Sequence, residues 1–89
     1  MKRVHLIISG YVQGIGFRAW FARSARQLQV TGWVKNREDG TVEAVCDGPP
    51  EELKKILEVA RTGPETSWVD DVVIEWLEPS ELFHEFKIM

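Results

Sequence analysis

The sequence predicts an α+β fold of two layers, a mainly antiparallel sheet carrying two helices on one face, in the order βαββαβ with a small terminal strand. Three observations lead there. Apolar residues alternate in several short segments, recur at helical spacing in two others, and the pair Asp39-Gly40 joins the two middle β-rich runs as a hairpin turn. With 89 residues, 44% hydrophobic and no longer periodicity, the chain reads as one domain over 1–89 with one core.

Each element follows from its own residues. Val4, Leu6 and Ile8 alternate with His5, Ile7 and Ser9, as in a strand with one face firmly buried. After Gly10 the period changes: Phe17, Phe21, Ala25 and Leu28 form one helical stripe with Arg23, Arg26 and Gln27 off it, so a helix is expected from 17 to about 29. Thr31 to Arg37 and Thr41 to Cys46 are β-rich and flank Glu38-Asp39-Gly40, which makes them antiparallel neighbours. Gly48-Pro49-Pro50-Glu51-Glu52 opens a second helix, with proline near its first position and acids where the dipole favours them. Leu53, Ile56, Leu57 and Ala60 mark its buried stripe, and Arg61 with Gly63-Pro64 ends it. Val72, Ile74 and Trp76 alternate with Val73, Glu75 and Leu77 in a fourth strand, and Phe86 and Ile88 have the spacing of inward residues in a short closing strand. The order is that of a ferredoxin-like sandwich.

Composition narrows the function. One cysteine excludes an internal disulfide, and Cys46, in an apolar-alternating run, reads as a small buried hydrophobe rather than a nucleophile. No apolar stretch approaches a membrane span and the N-terminus lacks the features of a signal peptide, so a cytoplasmic location is expected. The net charge of −3 divides unevenly: residues 1–37 carry +7 with no acid, and residues 38–89 carry −10. An anion site would sit well in the first part, although the same charges could simply solvate separate faces. His5 and His84 show no metal-ligand spacing and read as structural.

The run Gly10-Tyr11-Val12-Gln13-Gly14-Ile15-Gly16-Phe17-Arg18 joins the first strand to the first helix through three glycines and ends in arginine. Glycines permit a tight turn and close approach to a ligand, while the first N–H groups of a helix lack intrahelical acceptors. A cation in the first helical turn opposes the macrodipole by roughly 0.3–1 kcal/mol at an exposed site. Arg18 is therefore awkwardly placed unless something negative binds there. A phosphate would reverse the sign. On residues alone, Asn36 could equally be a turn-flanking amide, and Arg23, Lys35 and Arg37 read as surface cations with at most a steering role.

These residues resemble the acylphosphatase family. Its loop, Gly-x-Val-Gln-Gly-Val-x-Phe-Arg, is matched by Gly10 through Arg18 with Ile15 as a conservative change. A second signature, Gly-Trp-Val-x-Asn followed by Asp-Gly-x-Val-Glu, is matched by Gly32, Trp33, Val34, Asn36, Asp39, Gly40, Val42 and Glu43. Gly63-Pro64 and Phe86-x-Ile88 extend the resemblance along the whole chain; Gln29, where the family usually has glycine, and Ser67-Trp68 depart from it. The resemblance implies hydrolysis of the carboxyl-phosphate bond of small acyl phosphates without metal or cofactor. It places phosphate binding on Arg18 and the backbone N–H groups of Gly14, Ile15, Gly16, Phe17 and Arg18, and positioning of the attacking water on Asn36.

Two other patterns in the residues point to different functions. Gly14-x-Gly16-x-x-Ala19 fits the dinucleotide pattern, but Glu38 and Asp39 fall in a hairpin and no parallel βαβ unit follows. A non-catalytic anion- or nucleic-acid-binding module on the same fold is the main alternative. Against nucleic acid, Thr41-Val42-Glu43-Ala44-Val45-Cys46 lacks the stacking aromatics of an RNA-recognition strand, and the second half is acidic. Trp20, Trp33, Trp68 and Trp76 are expected to pack in the core or on the sheet. Acylphosphatase-like domains also occur in the maturation protein of nickel–iron hydrogenases, which is much longer and carries zinc-finger cysteines. A monomer is the default expectation.

Overall fold

The computed structural model describes residues 1–89. The elements run β1 (Lys2–Tyr11), α1 (Phe17–Gln27), β2 (Thr31–Asn36), β3 (Val42–Gly48), α2 (Pro50–Thr62), β4 (Trp68–Leu77) and β5 (Phe86–Ile88). One sheet holds all five strands in the order β4-β1-β3-β2-β5. Every junction is antiparallel except β2 with β5, which is parallel. The α+β sandwich expected from the sequence is the observed architecture.

The alternation of β1 decides which face is buried. Val4, Leu6 and Ile8 are fully enclosed together with Val42, Ala44 and Cys46 of β3 and Val34 of β2, and both helices cover this face. Phe17, Phe21, Ala22 and Ala25 of α1 meet Leu53, Ile56, Leu57 and Ala60 of α2 in the same cluster. Burying each large side chain of this set contributes roughly 1.5–3 kcal/mol. Burial pushes the Cys46 thiol up, which agrees with the reading of it as an inert core residue.

Local differences from the expected boundaries have physical causes. α1 ends at Gln27 rather than near 29 because Gln29 adopts a left-handed conformation, φ 58°, and Val30 N–H turns back to the Ala25 carbonyl. β3 continues through Gly48, since its whole length pairs with β1 from Lys2↔Gly48 to Ile8↔Val42. β4 begins at Trp68, earlier than its alternation suggests, because a register shift at Ser9/Gly10 interrupts the period. The hairpin closes on Arg37 N–H to the Thr41 carbonyl, with Asp39 Oδ1 accepting from Thr41 N–H and Oγ1.

Two expectations about packing are corrected. Trp20 and Trp33 are half-buried, but Trp68 is 70% and Trp76 44% exposed, because β4 is an edge strand with no element beyond it. Phe86 is buried against Phe21, with ring centroids 5.8 Å apart. Ile88 is not inward. It is 44% exposed, because β5 lies at the other edge and its end projects past the core to a surface cleft.

The opposite face of the sheet carries no helix. There the charge asymmetry of the sequence is folded back on itself: His5 Nε2 lies 2.7 Å from Glu43, Lys35 Nζ 3.7 Å from the same carboxylate, and Arg3 forms an ion pair with Asp47. The hydrogen bond with His5 holds the Glu43 carboxyl below its usual range, helped by the charges of His5, Lys35 and Arg37.

Candidate active site

The turn between β1 and α1 is built by left-handed backbone at Gly14, φ 75°, and Gly16, φ 82°. The non-glycine residues between and after them remain on the negative side of φ, so handedness alternates along the loop. Such alternation turns successive N–H groups toward one point and makes an anion-binding concavity. No backbone hydrogen bond uses the N–H groups of residues 14–18 as donors. Gly16 is the N-cap of α1 and supplies no side-chain cap, and the first turn contains no acid. The helix start is thus left open to an external acceptor.

Arg18 stands in that first turn. It forms no ion pair with any Asp or Glu side chain. Its one protein hydrogen bond runs from Nη1 to the main-chain oxygen of Met89 at 3.0 Å. A guanidinium has five N–H donors in a rigid fork, so this contact orients the group and leaves the remaining donors free.

Asn36 ends β2 on the helix-bearing face, two residues beyond the buried Val34. Its Oδ1 is buried and has no hydrogen-bond partner within the protein. An acceptor in this state carries a desolvation cost of about 1–3 kcal/mol unless a ligand or water meets it. That weighs against the backbone-satisfied turn amide that residues alone left open.

Gln13 connects the two halves of the site. From the loop, its Nε2 donates to the Arg37 and Thr41 carbonyls, both at 2.8 Å, so the turn that carries Arg18 is tied to the hairpin that follows Asn36. The sequence placed Gln13 within a motif but gave it no task. Only the spatial approach of loop and hairpin reveals one.

Between these parts lies a cleft of about 160 Å³ lined by Val12, Gly14, Gly16, Phe17, Arg18, Ala19, Asn36 and Ile88. The structure therefore brings Arg18, Asn36, Gly14, Gly16 and Phe17 to one place. Ile15 is half-buried and packs on the core, outside this lining, so its contribution is confined to backbone. Val12, Ala19 and Ile88 were not identified from sequence, since an apolar residue at a rim looks like any core residue in a pattern. A second, polar recess shares Asn36 and is lined by Lys35, Arg37, Glu38, Asp39 and Glu43. His5 and His84 stay outside both recesses.

An α+β sandwich whose first β–α turn offers unpaired N–H groups and an arginine without an Asp or Glu partner, beside an orphaned amide oxygen, has a donor set suited to a small anion such as a phosphate. Comparison with known proteins gives the family. Residues 4–88 match the acylphosphatase family model. Among similar sequences is an acylphosphatase of Thermococcus kodakarensis, 48% identical over 91 residues and covering 100% of this chain and 99% of the relative. The crystal structure of acylphosphatase from Bacillus subtilis superposes with a TM-score of 0.97 at 36% identity, covering 100% of this chain and 99% of that one. HypF of T. kodakarensis contains a similar domain, TM-score 0.87 at 28% identity, which occupies 12% of its length. The chain belongs to the acylphosphatase family. No helix is long and apolar enough to cross a membrane.

Proposed function

We propose that this protein hydrolyses small acyl phosphates to carboxylate and inorganic phosphate by in-line attack of a water held by Asn36 on a phosphoryl group held by Arg18 and the 14–18 backbone. Hydrolysis of acyl phosphates follows from family membership over nearly the whole chain. The assignment of roles is supported by one observation above all: the cleft collects an arginine without an Asp or Glu partner, open helix-start N–H groups and a buried amide oxygen without a partner.

The donor set suits the reaction. Phosphoryl transfer through a loose transition state asks the protein mainly for positioning and charge stabilisation. The leaving carboxylate has a conjugate-acid pKa of about 4, so its departure needs little proton donation. Arg18 and the N–H groups meet charge on the phosphoryl oxygens. Asn36 Oδ1 accepts a hydrogen bond from the water and aims its lone pair. The proton of that water is lost once the new P–O bond forms and the product phosphate can share it with solvent. This reading uses no metal or cofactor, a monomer suffices for it, and it places the protein in the cytoplasm with no nucleic-acid partner.

The test is turnover of an aryl acyl phosphate in excess chelator by the natural protein, Arg18→Ala and Asn36→Ala. Arg18→Ala should lose phosphate binding and turnover together, and Asn36→Ala should lower kcat while competitive inhibition by phosphate is nearly intact. Full turnover by Asn36→Ala would remove its role. A folded natural protein that binds phosphate without turnover would instead be a non-catalytic anion-binding module.

A further inference from the structure

We propose that Arg3 and Asp47, at the end of the sheet remote from the cleft, form a positioning pair that holds the segment 78–85 across the open sheet face and thereby fixes β5 and the Arg18 guanidinium. The proposal rests on the reading of Arg18 as the phosphate-binding group.

Topology creates the need. β4 and β5 occupy opposite edges of the sheet, so residues 78–85 must carry the chain from one edge to the other. Arg3 sits next to the buried Val4 and so presents its side chain to the face without helices, where the crossing segment meets it. Its Nη2 donates to the Glu81 carbonyl at 2.5 Å and Nη1 to Ser80 Oγ at 3.4 Å, and its guanidinium carbon lies 4.9 Å from the centroid of the Phe83 ring. The segment is also tied at its two ends, by the exposed pair of Lys2 with Glu78 and by Gly32 N–H to the Glu85 carbonyl, so that Arg3 alone holds its middle. Arg3 is therefore the main anchor of the crossing segment.

Asp47 aims that anchor. It lies directly across the β1–β3 ladder from Arg3, is 1% exposed, and accepts two hydrogen bonds from Arg3 at 2.7 and 2.9 Å. No other side chain pairs with it. The bidentate fork fixes the plane of the guanidinium and so directs its remaining edge at the segment.

The far end of the segment is the site. β5 has only three residues, of which Phe86 alone is buried. Flanking bonds to β2 run from Gly32 N–H to the Glu85 carbonyl and from Met89 N–H to the Val34 carbonyl, and Arg26 adds two bonds to the Phe86 carbonyl. This short strand delivers Ile88 to the cleft wall and the main-chain oxygen of Met89 to Arg18. A strand so lightly held belongs to the low-stability end of a fold. A slack tether would let it fray, and Arg18 would regain rotamers that phosphate binding must then freeze.

The decisive variant is Arg3→Met with Asp47→Leu. Replacing a buried ion pair by apolar groups of similar volume often leaves stability unchanged, yet here it removes the bonds to Ser80 and Glu81. We expect a cooperative melt close to that of the natural protein. We also expect KM for an aryl acyl phosphate and Ki for inorganic phosphate to rise together, roughly three- to ten-fold, with little change in kcat. The amides of Gly32 and Met89 should exchange faster while those pairing β1 with β3 keep their protection. A well-folded double variant with unchanged KM, Ki and exchange at these two amides would overturn the proposal. Should it fail to fold, Arg3→Lys keeps a charge beside Asp47 but cannot serve the carboxylate fork and the Glu81 carbonyl together; unchanged constants and exchange there overturn it equally. If Arg18→Ala in the natural background leaves Ki for phosphate intact, the assignment of Arg18 has failed, and the exchange rates of Gly32 and Met89 still decide whether the segment holds β5.

Discussion

Gln13 offers a sharp separation of positioning from binding. Gln13→Met keeps the length and much of the volume of the side chain but removes the Nε2 donor that bridges the Arg37 and Thr41 carbonyls at 2.8 Å each. Each hydrogen bond contributes about 0.5–1.5 kcal/mol net, and carbonyls near the surface recover part of this from water, so a loss of about 1–2 kcal/mol is expected. For a domain of this size that lowers Tm by about 4–16 °C. The loop N–H groups and Arg18 do not depend on this bridge, so Ki for phosphate should change by less than about two-fold, whereas a shift of the Asn36 hairpin by a fraction of an ångström should lower kcat by roughly 10- to 100-fold. Thermal unfolding combined with turnover and product inhibition measures all three. Gln13→Glu should be worse in stability, since an anionic acceptor would then face two carbonyl oxygens. A Tm that falls as expected with kcat within about two-fold of the natural value would show the bridge to be structural only and refute the reasoning.

Three other outcomes are expected. Inorganic phosphate at about 100 times its Kd should stabilise the fold by about 2.7 kcal/mol, raising Tm by about 10–20 °C, and Arg18→Ala should lose this shift in a thermal melt. Gly32→Ala should destabilise by about 3 kcal/mol or more in denaturant unfolding. At that position φ is +139° and an added Cβ would fall 1.9 Å from the Val45 carbonyl oxygen. Because the Glu43 carboxyl is held below its usual range by His5, its contribution to stability is complete above the ordinary carboxylate pKa and is lost as pH falls through the lowered folded value. Glu43→Gln should flatten that part of the stability–pH curve, and an unchanged acid limb in titration-monitored unfolding would count against the pair.

Much of this molecule was determined locally and is legible in the chain. Period-two alternation in Val4, Leu6 and Ile8 and helical spacing in Phe17, Phe21 and Ala25 fix which side of each element is apolar, because side-chain direction follows from backbone geometry alone. The same holds for the glycines of the loop, whose left-handed conformations are cheap only without a Cβ. Arg18 announced itself by standing at the wrong end of a helix dipole, and Asn36 by its match to the second signature.

What only the tertiary structure decided concerns neighbours distant in sequence. The order β4-β1-β3-β2-β5 leaves β4 at an edge, which exposes Trp68 and Trp76 despite their apolar character, and puts Ile88 at the rim of the cleft rather than in the core. No periodicity reports what lies beyond a strand. Strand pairing also sets Asp47 opposite Arg3 and Glu43 beside His5, so cations of the first part meet acids of the second, while Arg18, like Arg23 and Arg26, has no Asp or Glu partner. The bridge from Gln13 to the hairpin and the orphaned oxygen of Asn36 exist only once loop and hairpin meet. A pattern along the chain encodes each element's faces; the energy of long-range packing and pairing chooses which faces touch.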